Sequence, residues 1–199
     1  MSNLFKTLEI EAFRAGITPR TRESREWFRR KAQQLRRVNR NQLMKEEELE
    51  LRNRVGTSGN LVGSMYMFVY DPKFKKELPY YDAFPLVIVI GPAEGGFLGL
   101  NLHYLPPTLR ARFLDSLLDI TNNNKYDETT RFRLSYALLK RAAKYKYFKP
   151  CIKHYLNKHV RSRFALVPAT EWEIATFLPA ADWRKSSANK VYSDSRGML

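Results

Sequence analysis

Few side chains in this sequence could carry catalysis or bind a metal. The 199-residue chain contains three histidines and one cysteine. His154 and His159 lie five residues apart, which is off the four-residue helical step that directs two imidazoles at one metal ion. Cys151 precedes His154 by three residues and has no clear base partner, so a buried, inert thiol is the expected role. We therefore predict no metal site, no cofactor and no nucleophile here.

The other polar candidates have structural explanations. His103 falls beside Asn101 on the polar face of a predicted strand, where we expect a hydrogen-bonded structural histidine. Asp71 and Asp82 stand next to prolines or aromatic residues, and turn capping accounts for both. The glycines form neither a GxxxxGK[ST] loop nor a GxGxxG loop that opens a helix. The sequence therefore predicts a protein that is not an enzyme.

Positive charge is the strongest global feature. Lys and Arg number 35 against 20 Asp and Glu, which gives a net charge of +15. Such a surplus favours nucleic acid, an anionic membrane face or an acidic protein neighbour. Residues 131–163 carry eleven basic side chains and no carboxylate, whereas an ordinary solvated face mixes both signs. The predicted polyanion-binding residues are Arg131, Arg133, Lys140, Arg141, Lys144, Lys146, Lys149, Lys153, Lys158, Arg161 and Arg163.

The elements that position these groups centre on residues 66–105. Residues 87–90 are an unbroken β-branched run, typical of a strand covered on both faces, and Gly95 and Gly96 reverse the chain after it. The predicted strands cover residues 65–70, 85–90 and 97–104, and the predicted helices cover residues 107–120, 128–145 and 150–160. The fold class is therefore α+β, a small antiparallel sheet or open barrel flanked by helices.

The two ends of the chain differ from this core in composition. Residues 4–15 have the spacing of one amphipathic helix, with Gly16 as its stop. Residues 22–54 are highly charged and predict a projecting helical arm, stable only when its sparse apolar side packs on a partner or back on the sheet. The predicted domains are an N-terminal helical arm (1–60), an α+β core (61–178) and an extended C-terminal tail (179–199).

Aromatic side chains outside the predicted core helices are candidates for contacts with other proteins. The segment 71–85 places aromatic residues among prolines, a composition suited to interface anchors. The predicted protein-interface residues are Trp27, Phe28, Tyr80, Tyr81 and Phe84.

Cysteine content and hydropathy indicate where such a chain functions. One cysteine excludes an intramolecular disulfide, so the protein needs no oxidising compartment. No apolar run approaches the roughly 18 residues that a membrane span requires. We therefore expect a soluble, intracellularly made protein with no membrane insertion.

Several segments carry a resemblance to a known family. They are AFRAGITPRTRESREWF at residues 12–28, YDPKFKKELPYYDAFPLVIVIGPAEGGFLGLNLHYLPP at 70–107, YFKPCIKHYLNKHVRSRF at 147–164 and VYSDSR at 191–196. Together they resemble a family of small basic virion proteins of T-even-like bacteriophages with contractile tails. The patterns PYYDxFPLV and GFLGLNLHYLPP are the most specific part. The resemblance implies a viral, non-enzymatic protein, made in the host bacterial cytoplasm and located in the virion.

Two functions fit this resemblance. The first is a tail or baseplate component, bound to other phage virion proteins as multiple copies in a symmetric assembly. The second is a protein that binds duplex DNA and protects the ends of the packaged genome through residues 131–163 and the arginine-rich arm. The arm and tail resemble assembly devices and no recognised DNA-reading motif occurs, so the sequence favours the first function. It leaves open whether the positive charge contacts DNA or an acidic protein.

Overall fold

The computed structural model describes residues 4–19, 21–35, 38–41, 43–44, 62–121, 125, 137–138, 141, 146–168 and 171–197. The helices are α1 (Leu4–Arg14), α2 (Arg22–Gln34), α3 (Pro107–Thr121), α4 (Trp172–Phe177) and α5 (Ala188–Gly197). The strands are β1 (Met65–Met67), β2 (Tyr81–Asp82), β3 (Leu86–Ala93), β4 (Gly96–Asn101), β5 (Ile152–Leu156), β6 (Ala165–Val167) and β7 (Trp183–Arg184). Short 3-10 turns cover Leu102–Tyr104, Lys146–Cys151 and Asn157–His159.

Five strands form one antiparallel sheet in the order β5-β4-β3-β1-β6, and β2 pairs with β7 in a separate ribbon. Ile88 belongs to the larger core, which contains residues from the helices, whereas Val87 and Val89 belong to a second, mainly aromatic cluster. The first six residues of β3 are buried, as the β-branched run predicts for a strand covered on both faces. The predicted α+β class is confirmed.

The second face of the sheet is covered by an aromatic cluster. Phe68 is fully buried at its centre. Its ring centroid lies 6.2 Å from that of Tyr70, 5.9 Å from Phe97, 5.2 Å from Tyr155 and 4.9 Å from Phe164, each in an edge-to-face arrangement. Such pairs stabilise by about 0.5–1.5 kcal/mol beyond the area they bury. The cluster therefore fixes β5, and the segment that leads to β6, onto the sheet.

The turn between β3 and β4 forms as predicted. Gly95 has a φ of +67°, a backbone conformation that costs glycine little. Gly96 allows β4 to approach β5 closely, because a Cβ there would lie 1.8 Å from the carbonyl oxygen of Tyr155. The strand predicted over 97–104 ends early, since the Asn101 side chain accepts a hydrogen bond from the backbone N–H of His103 and begins a 3-10 turn.

The helix predicted over residues 150–160 is wrong. Residues 152–156 form β5, which pairs antiparallel with β4. Tyr155 is buried, and its ring stacks on Phe97 with centroids 5.4 Å apart. Strand pairing and this stacking outweigh a helical spacing of apolar residues, because strand preference depends on tertiary neighbours. By contrast, α3 confirms the helix predicted over 107–120, whereas the helix predicted over 128–145 lies outside the described residues except at 137–138 and 141.

The first part of the predicted arm packs on the core. Thr21 and Ser24 form a capping box at the start of α2. The Ser24 hydroxyl donates to the buried Glu173 carboxylate of α4 at 2.9 Å, and Arg25 forms an ion pair with Asp115 of α3. The predicted helix is therefore confirmed over residues 22–34, but it packs on α3 and α4 of the same chain and does not project. Residues 45–54 lie outside the described residues, and a domain boundary near residue 60 stays a prediction.

The predicted C-terminal tail is ordered over most of its length. β7 pairs with β2, and α5 buries Val191 completely. Arg110 of α3 is also buried and donates to the Thr176 carbonyl at 2.7 Å and to the Tyr192 hydroxyl at 3.1 Å. The prediction of an extended tail is therefore wrong over residues 188–197, while the boundary at residue 178 stays a prediction.

Candidate nucleic-acid interface

Part of the predicted polyanion-binding segment is described. Arg141, Lys149, Lys158, Arg161 and Arg163 are exposed, and Lys153 is half-buried. The others (Arg131, Arg133, Lys140, Lys144 and the side chain of Lys146) lie outside the described residues. Among the described cations, Lys149, Lys153 and Lys158 lie on β5 or next to its ends, whereas Arg161 and Arg163 lie on the segment that leads from β5 to β6.

We call Lys149, Lys158, Arg161 and Arg163 the basic edge. These residues lie on the turn before β5 and on the segment that leads from β5 to β6. That segment is held by backbone contacts: the Arg161 N–H donates to the Val69 carbonyl at 2.8 Å, and the Asp71 N–H donates to the His159 carbonyl at 3.0 Å. Residues 159 and 161 therefore have a fixed backbone, from which the side chain of Arg161 reaches solvent.

The carboxylate of Asp71 contacts the basic edge. Asp71 accepts a hydrogen bond from Lys75 at 2.9 Å and lies 3.7 Å from Arg161. The Lys75 hydrogen bond is the main cause that lowers the pKa of the Asp71 carboxyl. The side chain thus forms ion pairs instead of only capping a turn. Because one negative charge faces two cations, the surface around Asp71 keeps a positive excess.

A buried polar network lies behind β5. His103 Nδ1 and Asp82 Oδ2 are 2.7 Å apart, and both side chains are 1% exposed. Asn101 donates to the Asp82 carboxylate at 3.3 Å and to the Tyr155 hydroxyl at 3.1 Å. Asp82 also accepts from the backbone N–H of Phe84, the turn contact that its sequence context predicts. The structural role predicted for His103 is confirmed.

This network should make the free energy of unfolding depend on pH in the acidic range. Burial opposes ionisation of Asp82, but His103 and two backbone N–H groups outweigh it, so the pKa of Asp82 lies below its usual value. A depressed folded pKa stabilises the protein above the unfolded pKa of about 3.9, and this contribution is lost as the pH falls through the folded pKa. We expect the free energy of unfolding, measured in urea, to fall below about pH 4 by about 1.4 kcal/mol per pH unit for this proton.

The Asp82→Asn variant should be less stable at pH 7 and should show a flatter acid dependence than the wild type. Asp119→Asn provides the control, because Asp119 is an exposed carboxylate on α3. Equal acid slopes for the wild type and Asp82→Asn would show that Asp82 does not titrate below its ordinary range.

An aromatic cavity of about 320 Å³ opens beside the basic edge. It lies between residues 70–82 and strands β4 and β5, and its lining includes Phe74, Tyr80, Tyr81, Tyr104 and Lys153. The sequence predicted none of this cavity, although it predicted Tyr80 and Tyr81 as protein-interface residues and Lys153 as a polyanion-binding residue.

The predicted protein-interface residues separate into two groups. Phe28 and Phe84 are buried in the core, 6% and 1% exposed, so their prediction as surface anchors is wrong. Each side chain packs among apolar neighbours of the same chain. Trp27, Tyr80 and Tyr81 are half-buried, and a contact with another protein through them stays a prediction.

The other chemical candidates in the described part of the chain are the thiol of Cys151 and possible metal ligands. Cys151 is fully buried, and burial raises the pKa of its thiol to about 12. No group of three or more metal-ligating side chains occurs among the residues described. None of the described helices is long and apolar enough to cross a membrane.

Residues 6–196 match the family model described as the phage T4 terminal DNA protecting protein. Comparisons with curated proteins and with solved structures give no match. The family description names protection of DNA and not a catalysed reaction, in agreement with the prediction of a non-enzymatic phage protein. It favours the second function suggested by the sequence, protection of genome ends, over a tail or baseplate component.

Proposed function

Because the chain belongs to the phage T4 terminal DNA protecting protein family, we propose that it binds the ends of the packaged phage genome and shields them from nucleases. The basic edge is the observation that carries this proposal. Its exposed cations extend from the turn before β5 to the segment before β6. Cations in this arrangement bind phosphates by releasing condensed counterions, without reading the base sequence.

Protection of this kind requires no chemical step by the protein. An exonuclease that starts at a terminus needs access to the last nucleotides, and a bound protein blocks that access sterically. The protein must then dissociate slowly from a DNA terminus, whatever the base sequence of that terminus. Phosphate contacts suit this requirement because they are the same at every base pair.

The segment 131–149 extends the same proposal. Its five further predicted cations, together with Arg141, would enlarge the phosphate-binding surface beyond the basic edge. Contacts with other virion proteins, and assembly as multiple copies, are compatible with this function. They stay predictions from the sequence.

The direct test compares DNA with and without ends. A linear duplex is incubated with the purified protein and then with an exonuclease that degrades duplexes from their termini. We expect the protein to slow degradation, and we expect unlabelled linear duplex to compete for the protein at least tenfold better than closed circular duplex of the same sequence.

The control is an endonuclease that cleaves inside the same duplex, which a protein bound at the ends should not slow. Equal competition by linear and circular duplex, together with unslowed exonuclease digestion, would reject end protection. The basic surface would then be assigned to contact with an acidic protein neighbour.

A further inference from the structure

We propose that the aromatic cavity beside β5 takes the terminal base of a DNA strand after that base has left its pair. This inference rests on the proposed function and adds the part of the DNA that the protein recognises. It explains how a surface that binds any phosphate backbone could prefer an end to internal duplex.

The size of the cavity fits one nucleotide. Its volume is about 320 Å³, at the lower limit of the roughly 300–1,000 Å³ typical of small-molecule sites. A duplex is far too wide to enter it. A single base with part of its sugar is the unit of DNA that matches this space.

The walls suit a flat aromatic group. Phe74 is 52% exposed. Tyr80 and Tyr81 are half-buried along the same cavity. Stacking of a base on such rings strengthens binding by about 5- to 150-fold per base, and it tolerates every base because each has a π face. A protein that protects ends of any sequence requires this tolerance.

Lys153 supplies a charged side chain to the lining of the cavity. Its ammonium lies 4.1 Å from the ring centroid of Tyr104, and burial lowers its pKa. Within the described part of the chain, this ammonium makes no ion pair or hydrogen bond. A half-buried cation without an acceptor favours a ligand that brings one, and the carbonyl oxygens and ring nitrogens of bases are such acceptors.

The cavity is held open by contacts within the chain. The Lys185 ammonium donates to the carbonyls of Lys76 and Leu78, at 2.8 and 3.0 Å, and so fixes the segment that carries Phe74. On the opposite side, the Leu156 N–H donates to the Tyr70 hydroxyl at 3.1 Å. A preformed cavity lowers the cost of binding, because fewer groups need to be ordered.

A DNA end can fill this cavity more easily than internal duplex can. Extruding a base from within a duplex breaks its pairing and its stacking on both sides, whereas a terminal base loses stacking on one side only and pairs more weakly. The cavity therefore adds affinity at a terminus and little elsewhere. Closed circular DNA should bind through the basic edge alone.

The test uses the purified full-length protein and duplexes that carry 2-aminopurine, whose fluorescence responds to stacking, at the terminal or at a central position. We expect binding to change the fluorescence of the terminal probe and not of the central probe. Phe74→Ala should weaken binding to linear duplex by about 5- to 150-fold through lost stacking, and Lys153→Met by about 10- to 150-fold through a lost charged hydrogen bond. Both variants should leave binding to circular duplex unchanged.

Lys149→Met is the matched control, since it removes an exposed lysine from the basic edge and leaves the cavity intact. It should weaken linear and circular duplex equally. Thermal unfolding of each variant verifies folding, which Phe74→Ala should preserve because its ring is half exposed.

Two results would overturn the inference. In the first, the cavity variants bind linear duplex like the wild type and change the terminal fluorescence equally. In the second, a duplex with abasic termini binds as tightly as an ordinary end, which would place a terminal phosphate and not a base in the cavity. A wild-type protein with no preference for ends would reject the proposed function itself, and the fluorescence at the terminal probe separates the two failures.

Discussion

Replacing Lys149, Lys158 and Arg161 together by Glu is expected to lower the affinity for linear duplex DNA by about 1,000-fold at 0.1 M salt. Each phosphate contact contributes about 0.9 to the slope of log affinity against log salt, or nearly tenfold in affinity at this salt concentration. The slope should therefore fall by about three units. Equilibrium binding measured from 0.05 to 0.3 M salt gives both numbers.

Folding should survive the triple replacement, because all three side chains are exposed and the adjoining segment is held through backbone atoms. The control replaces Arg14, Arg30 and Lys190 by Glu, which makes the same change in net charge at exposed positions outside the basic edge. An equal loss of affinity in the control would mean that net charge alone drives binding. The basic edge would then not be a site.

Phe68→Ala is expected to destabilise the protein by about 3–5 kcal/mol, the usual cost of removing a fully buried phenylalanine. The expected loss is at the upper end of this range because four aromatic rings surround Phe68 edge to face. They lie on β4, on β5 and on the segments after β1 and before β6, so the structure cannot easily collapse into the cavity left behind. Total stabilities of domains are only about 5–15 kcal/mol. Thermal unfolding should shift down by about 10 °C.

Phe13→Ala serves as the matched control, since the same atoms are removed from a ring that is 84% exposed. Its melting temperature should stay close to that of the wild type. If the two variants melted together, the aromatic cluster would not be a core of the folded protein. The Phe68→Ala variant should also lose protection of DNA ends at temperatures where it unfolds, because β5 and the segment before β6 pack on this cluster.

Several features could be predicted from the sequence because local rules decide them. The β-branched run of β3 needs cover on both faces wherever it lies, and the turn at Gly95 requires a residue that takes positive φ at little cost. The start of α2 at Thr21 likewise follows from a local capping pattern. The single cysteine and three histidines limited the chemistry before any geometry was known.

Other features depend on partners distant in the sequence. The apolar residues of 150–160 have helical spacing. Pairing with β4 and stacking on the ring of Phe97 nevertheless stabilise residues 152–156 as a strand. The charge of residues 22–54 predicted a projecting arm, yet Glu173, almost 150 residues further along the chain, accepts hydrogen bonds from Ser24 and Arg25. Neither the pairing with β4 nor the acceptor Glu173 could be identified from the local sequence pattern.

The candidate site divides in the same way. The sequence by itself determined that the protein is basic, lacks a recognisable catalytic motif and concentrates positive charge in residues 131–163, because charge and composition do not depend on folding. Only the tertiary structure decided which of these cations are exposed around β5 and the segment before β6, and which aromatic residues surround Lys153. Those contacts join residues 70–82, 101–104 and 153–156, and only the pairing of strands brings segments so far apart in the chain around one cavity.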